Sequence, residues 1–208
     1  IEGGFRVGIA GTAVECKDGI STIKYINSLN IRISRELTGC ADKVMKYVYG
    51  NTLIISPPGC GKTTILRDII RQISNQGINI SVVDERCEIS GMYLGNIQFD
   101  LGICTDVLCC YSKSIGMNMM LRSMGPKIIA VDEIGSDEDI LAIHNLLNSG
   151  VKIIATIHCD TIENILQKPF IENIVKEKIF DSYIILNNNK KTGDLYKIYD
   201  KELNIVWQ

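Results

Sequence analysis

The densest chemistry in the chain is the run Ser56-Pro57-Pro58-Gly59-Cys60-Gly61-Lys62-Thr63-Thr64. Gly59 and Gly61 permit a backbone bend that aims successive N–H groups at one anion. Lys62 offers a long cation for the β- and γ-phosphates of a nucleotide, and Thr63 a hydroxyl suited to Mg²⁺. A helix that starts here adds unpaired N–H groups and the positive end of its dipole. Pro58, Gly59, Cys60, Gly61, Lys62, Thr63 and Thr64 are therefore the expected phosphate-binding residues. The first glycine of the G-x-x-x-x-G-K-[ST] pattern is replaced by Ser56, a small residue at a position that mainly turns the chain out of a strand. The alternative is a glycine-rich turn that carries a lysine by chance. With glycine at ~7% of residues, a chance G-x-G-K-T is on the order of one per cent in a chain this long.

Acids follow on later segments. Lys127-Ile128-Ile129-Ala130-Val131 reads as a buried strand that ends in Asp132-Glu133. Carboxylates at the carboxyl end of a parallel strand lie beside such a loop. Asp132 is expected to hold Mg²⁺ through water, and Glu133 to activate an attacking water. A second pair, Asp84-Glu85, ends the strand 80–84, and His158 ends the strand 152–157. Each alone is more ordinarily a solvated strand end. Three strands that deliver polar groups at their carboxyl ends point to one crevice around a terminal phosphate.

The elements that must position these groups can be read from periodicity. Short β-branched runs at 52–56, 80–84, 127–132, 152–157 and 182–187 alternate with helical patterns, as in a parallel sheet covered on both faces. Ile65, Leu66, Ile69, Ile70 and Ile73 recur at helical spacing directly after the loop. Ser136-Asp137-Glu138-Asp139 opens a second helix that Gly150 closes, and Asp160-Thr161-Ile162-Glu163 opens a third that Pro169 stops or kinks. The stretch 86–116 is irregular and is read as a loop excursion. Before residue 51 a smaller unit is expected. It has strands at 5–15 and 20–26 joined by Lys17-Asp18-Gly19, an alternating segment at 30–35, and a short helix at 41–49. The tail from Tyr183 to Trp207 reads as antiparallel strands joined through Asn187-Asn188-Asn189 and Gly193, with Lys190-Lys191 in a solvated turn. The expected fold is an α/β core over 51–208, mainly parallel, with a small α+β domain over 1–50 and a C-terminal antiparallel extension.

Composition narrows the class. The 208 residues carry a formal net charge of −2, so no global basic field signals nucleic acid. Eight cysteines show no C-x-x-C pair or Cys/His ligand spacing and read as reduced thiols of a cytoplasmic protein. No apolar run approaches a membrane span and no signal peptide is visible, so the expectation is a soluble chain able to dock on membrane-embedded partners. The start at Ile1, without Met, suggests a trimmed fragment.

The order phosphate loop, acidic box (Val83-Asp84-Glu85-Arg86), acid-tipped strand, histidine box (Gly150 to His158) resembles the secretion ATPases of type II and type IV systems. Leu121-Arg122 followed by Pro126 is similar to the segment before their acidic strand. Within that superfamily, Asp84-Glu85-Arg86, Glu88-Ile89, Gly91, Gly95, Asp100, Gly102 and Thr105-Asp106-Val107 resemble the stage III sporulation protein AA family. Gly3-Gly4-Phe5-Arg6-Val7-Gly8 and Ser28 to Ile33 support the same family, so the likeness covers nearly the whole chain. It implies a RecA-like core and an Mg²⁺-dependent ATPase on the mother-cell side, energising a channel complex between mother cell and forespore. It also implies a ring, commonly a hexamer, with ATP between subunits. By the same analogy Arg32 and Arg35 are candidate charge-stabilising arginines. Their ordinary reading is a solvated strand face. Two departures bear on mechanism: Val151 stands where the family's box has its first histidine, and Asp132-Glu133 replaces its Gly-Glu. The division of labour between Glu85 and Glu133 is thereby left open. An ATP-gated scaffold, a phosphotransferase and a nucleic-acid translocase are the rival readings.

Overall fold

The computed structural model describes residues 1–208 apart from Asp18, Lys168 and 188–194. Its body is an eight-stranded sheet in the order β10-β9-β8-β3-β7-β6-β4-β5. The strands are β3 (Thr52–Ser56), β4 (Ile80–Asp84), β5 (Thr105–Cys109), β6 (Ile128–Val131), β7 (Lys152–His158), β8 (Ser182–Leu186), β9 (Leu195–Asp200) and β10 (Ile205–Trp207). Every pairing from β8 across to β5 is parallel, and the β8–β9 and β9–β10 pairings are antiparallel. A separate two-stranded antiparallel ribbon, β1 (Arg6–Cys16) with β2 (Gly19–Arg32), precedes this body.

Alternation along the strands decides which helix covers which face. Ile54, Ile154, Ala130 and Val82 point to one side, where Ile65, Leu66, Ile69, Ile70 and Ile73 of α1 (Lys62–Ser74) fill the layer. Leu53, Ile55, Ile153, Ala155 and Val131 point to the other. There they meet α2 (Lys113–Ser123), α3 (Asp137–Asn148), α4 (Ile162–Ile165) and α5 (Pro169–Lys176). Each fully buried isoleucine contributes about 2 kcal/mol of apolar transfer, so this two-sided burial holds the strand ends rigidly. α3 starts with the expected capping box, in which Ser136 accepts from the Asp139 N–H.

Four local expectations change. The segment 41–49 is a series of turns with a 3-10 turn at Met45–Tyr47, its burial carried by Ala41 and Val44. Pro169 opens α5, at the helix position where a missing N–H costs nothing. The excursion 86–116 contains β5 and the start of α2. Gly116 lets α2 approach β4: a Cβ there would sit 2.5 Å from Val83 Cγ1. β2 is longer than expected and takes in residues 30–32. Of the expected turns, Asp18 of the first, 188–189 and Gly193 of the tail and Lys190-Lys191 lie outside the described residues.

Candidate active site

β3 delivers the chain into the phosphate loop, and α1 begins at Lys62. Gly59 (φ 78°) and Gly61 (φ 94°) take left-handed backbone conformations that L side chains resist, which explains the two glycines. β7 lies beside β3 with Ser56 level with His158, so the histidine box opens directly onto the loop. β6 lies on the far side of β7, its last residue Val131 level with Ala155, and brings Asp132 and Glu133 to the same rim.

The side chains meet there. Lys62 is buried, and its Nζ donates to His158 Nδ1 at 2.6 Å and to the Ser56 carbonyl at 3.4 Å. Burial lowers the Lys62 pKa, against the raising pull of Asp132 and Glu133. An ammonium donating to Nδ1 requires the other imidazole nitrogen to carry the proton, and Nε2–H faces Glu133 Oε1. The other Glu133 oxygen accepts from Arg86 at 3.0 Å. Thr63 Oγ1 donates to Asp132 Oδ2 at 2.9 Å, and Thr156 Oγ1 donates to Asp132 Oδ1. Thr156 Oγ1 also accepts the Glu133 N–H at 2.9 Å, while the Thr156 carbonyl accepts from Ile134. Glu133 itself is left-handed (φ 48°), a conformation costly for a non-glycine residue and held here by those two bonds.

A cleft of about 520 Å³ runs over these groups, lined by Pro58, Gly59, Gly61 to Thr64, Glu133, His158, Arg6, Arg32, Arg86 and Glu88. Arg6 and Arg32 are direct cross-strand partners at the root of the ribbon. Like charges in that register repel, which suits a shared anion. Arg6 also pairs with Glu88, whose carboxyl is raised, chiefly by burial.

The remaining candidates lie off this cleft. Glu85 is ion-paired with Lys113 at 2.7 Å and lines a smaller neighbouring pocket with Asp84, Arg86, Asp132 and Glu133. Arg35 lines an adjoining cavity of about 340 Å³ with Thr63, Thr64 and Arg67, and its carbonyl accepts from Arg67. Cys60 is buried, and its Sγ faces the Pro58 carbonyl. Asp84 is an internal anchor: buried, it accepts from the N–H groups of Glu88, Ile89 and Ser90 and from Ser90 Oγ, at 2.6 to 3.2 Å. Arg67 does related work from α1, donating to the carbonyls of Ile89 and Glu88 while stacked 3.8 Å over Phe99.

Arg6, Arg86, Glu88 and Thr156 are the site residues that sequence reasoning missed. Thr156 was findable, since two residues before His158 on a strand means the same face. Arg86 borders the Asp84-Glu85 pair, but nothing in its position shows that it reaches Glu133.

The donor set fits a nucleotide and Mg²⁺. A buried lysine, three arginines and a glycine-bent loop suit a phosphate chain, and a threonine hydroxyl beside a carboxylate is the oxygen set that Mg²⁺ takes. The described residues contain no cluster of three or more His, Cys, Asp or Glu able to hold a metal, and no helix long and apolar enough to cross a membrane.

Comparison with solved structures finds the same fold in two ATPases and a pilus motor. The ATPase DotB of Yersinia pseudotuberculosis matches with a TM-score of 0.65 at 15% identity, over 95% of this chain and 55% of that one. DotB of Legionella pneumophila matches at 0.59 with 18% identity, over 87% and 53%. The pilus retraction motor PilT, solved with ADP, matches at 0.56 with 16% identity, over 88% and 59%. The chain thus spans about half the length of these structures. At the sequence level it is 39% identical to stage III sporulation protein AA of Bacillus subtilis, over 99% of this chain and 70% of that protein. The family model described as sporulation stage III, protein AA matches residues 1–206. With the acid-tipped strand and the histidine box gathered on one phosphate loop and the family model matching residues 1–206, the chain belongs to the stage III sporulation protein AA family.

Proposed function

We propose that this chain binds ATP with Mg²⁺ and hydrolyses it to ADP and phosphate, as the motor of a sporulation channel complex. One observation carries the reading. Lys62, Arg6, Arg32 and Arg86 converge on a glycine-bent loop beside the Thr63–Asp132 pair and the His158–Glu133 pair. Such transfer is mostly positioning and charge stabilisation, and the cleft offers both. Lys62, turning from His158, and Arg32 neutralise the phosphate chain. Thr63 and Asp132 would hold Mg²⁺, which would supply charge neutralisation for the phosphates. Glu133, kept at the rim by Thr156, orients water, and His158 bridges it to the phosphate loop. Glu85, committed to Lys113, serves as a supporting acid, and Arg35 positions Arg67 behind the loop.

Assembly into a ring, hexameric by analogy, with membrane-embedded channel proteins on the mother-cell side, is part of the same proposal. So is the division into a small domain at 1–50 and an ATPase domain at 51–208. Phosphate release from Mg·ATP across a wide protein-concentration series, with Glu133→Gln as blank, tests it. Activity per subunit that climbs with concentration is expected of a site completed between neighbours. Flat activity would overturn the ring. A second reading, an ATP-gated scaffold with little turnover, draws on the mutual satisfaction of Lys62, His158 and Glu133. Nucleotide binding without phosphate release at any concentration would favour it.

A further inference from the structure

Cys87 and Cys110 stand 23 positions apart in sequence, yet their sulfurs are 3.4 Å apart. The approach is built by the backbone. The N–H groups of both residues donate to a single acceptor, the Asp84 carbonyl, at 3.2 and 3.3 Å. Both residues are left-handed, at φ 54° and 58°, which turns each chain sharply as it leaves the ends of the adjacent parallel strands β4 and β5. Cys110 is exposed and Cys87 half-buried. The turn that Cys87 occupies carries site residues: Arg86 precedes it and holds Glu133, and Glu88 follows it and holds Arg6.

We propose that Cys87 and Cys110 form a reversible disulfide that staples the Arg86 turn to the end of β5. A small-molecule disulfide of the glutathione type is the oxidant. The exposed Cys110 thiol, as thiolate, attacks it, forming a mixed disulfide and releasing one thiol. Cys87 then attacks the Cys110 sulfur, closing the intramolecular bond and expelling the second thiol. Two cysteine thiols are oxidised and one disulfide is reduced to two thiols. Burial raises the Cys87 pKa, so the exposed Cys110 initiates, and Cys87 gives up its proton to the departing thiolate as it closes the bond. Neighbouring Cys109 is raised as well, also by burial, and faces Ser90. A bond between Cys109 and Cys110 would instead strain two adjacent residues. With the staple closed, Arg86 stays against Glu133, which slows turnover; this consequence rests on the ATP-hydrolysis reading, whereas the bond itself does not.

The test is treatment of the whole protein with oxidised glutathione, followed by alkylation and peptide mapping by mass spectrometry. The expected result is one intramolecular Cys87–Cys110 link, a mass loss of about 2 Da and a melting temperature about 5 °C higher, all reversed by dithiothreitol. Cys110→Ser should remove the link and the shift together. A stable glutathione adduct, a Cys109–Cys110 bond, a link between chains, or unreacted thiols would overturn the staple. ATP turnover of the same samples reads the consequence separately. A several-fold, reductant-reversible fall in wild type but not in Cys110→Ser is expected. Equal turnover of the mapped, stapled protein and the reduced protein would overturn the regulatory part alone. Absence of turnover in the reduced protein would count against the ATP-hydrolysis reading and leave the mapped bond standing.

Discussion

Asp84-Glu85 and Asp132-Glu133 end neighbouring parallel strands, and the β4–β6 register sets Val83 level with Val131, so the two acid pairs start side by side. From there they diverge. Asp84 turns inward and becomes the acceptor for four donors of the following loop, and Glu85 is taken up by Lys113. Asp132 and Glu133 face the phosphate loop, where Thr63 and His158 reach them. The difference lies in the path of the chain beyond each strand. After β4 it folds back so that three successive N–H groups reach Asp84, whereas after β6 Thr156 of the next strand pins Glu133 at the rim. One pair anchors a loop; the other faces the phosphate loop.

This contrast can be broken by exchange of function between the pairs. Glu133→Gln should keep ATP binding and lower phosphate release by about 100-fold or more, while Glu85→Gln should stay within about threefold. The opposite ranking in steady-state assays would transfer the base role to Glu85. Stability should rank the strands the other way. Asp84→Ala leaves buried N–H groups without an acceptor and should cost about 3 kcal/mol in denaturant unfolding, against about 1 kcal/mol for Asp132→Ala, whose partner Thr63 lines the open cleft. Equal costs would erase the distinction.

Two pH-linked effects sharpen it further. Since burial lowers the Lys62 pKa, its ammonium loses a proton below the ordinary 10.5 as pH rises. ATP affinity should therefore begin to decline on the alkaline side before that value, and Lys62→Arg should flatten the decline. The folding contribution has the reverse sign: the buried charge costs stability at low pH, and that cost is relieved as pH rises through the lowered value. Glu88 gives the smallest effect. Its pKa is raised above 4.5, chiefly by burial and despite Arg6, so its favourable contribution is present below 4.5 and lost as pH rises through the raised value. Glu88→Gln should then leave stability at pH 7 within about 0.5 kcal/mol of wild type or slightly higher. A loss above about 1 kcal/mol in thermal unfolding would mean that the Arg6 ion pair outweighs burial.

The phosphate loop, the buried parallel strands and the α1 and α3 helices were legible because each is specified locally. Glycines mark the left-handed turns, isoleucines recur at the helical period, and Ser136 and Asp139 write their own cap. β5 and α2 were not legible. β5 (Thr105–Cys109) lies at the sheet edge and carries Asp106. α2 contains Gly116 and an apolar pattern spread around the helix, so only its close approach to β4 explains it. The 41–49 segment, expected as a short helix, docks instead through turns, with Ala41 N–H donating to Asp68.

What the chain determines by itself is therefore the inventory: a phosphate loop in strand–helix context, acids and a histidine at strand ends, and a family likeness from end to end. Which acid faces the loop, and which arginines close over it, was decided by tertiary structure alone. Arg6 and Arg32 meet the cleft through cross-strand register, and Arg86 reaches Glu133 across 47 positions of sequence. The physical reason is that local propensity acts over a few residues, whereas the position of a charge at a crevice depends on strand order and on which neighbouring donors reach it first.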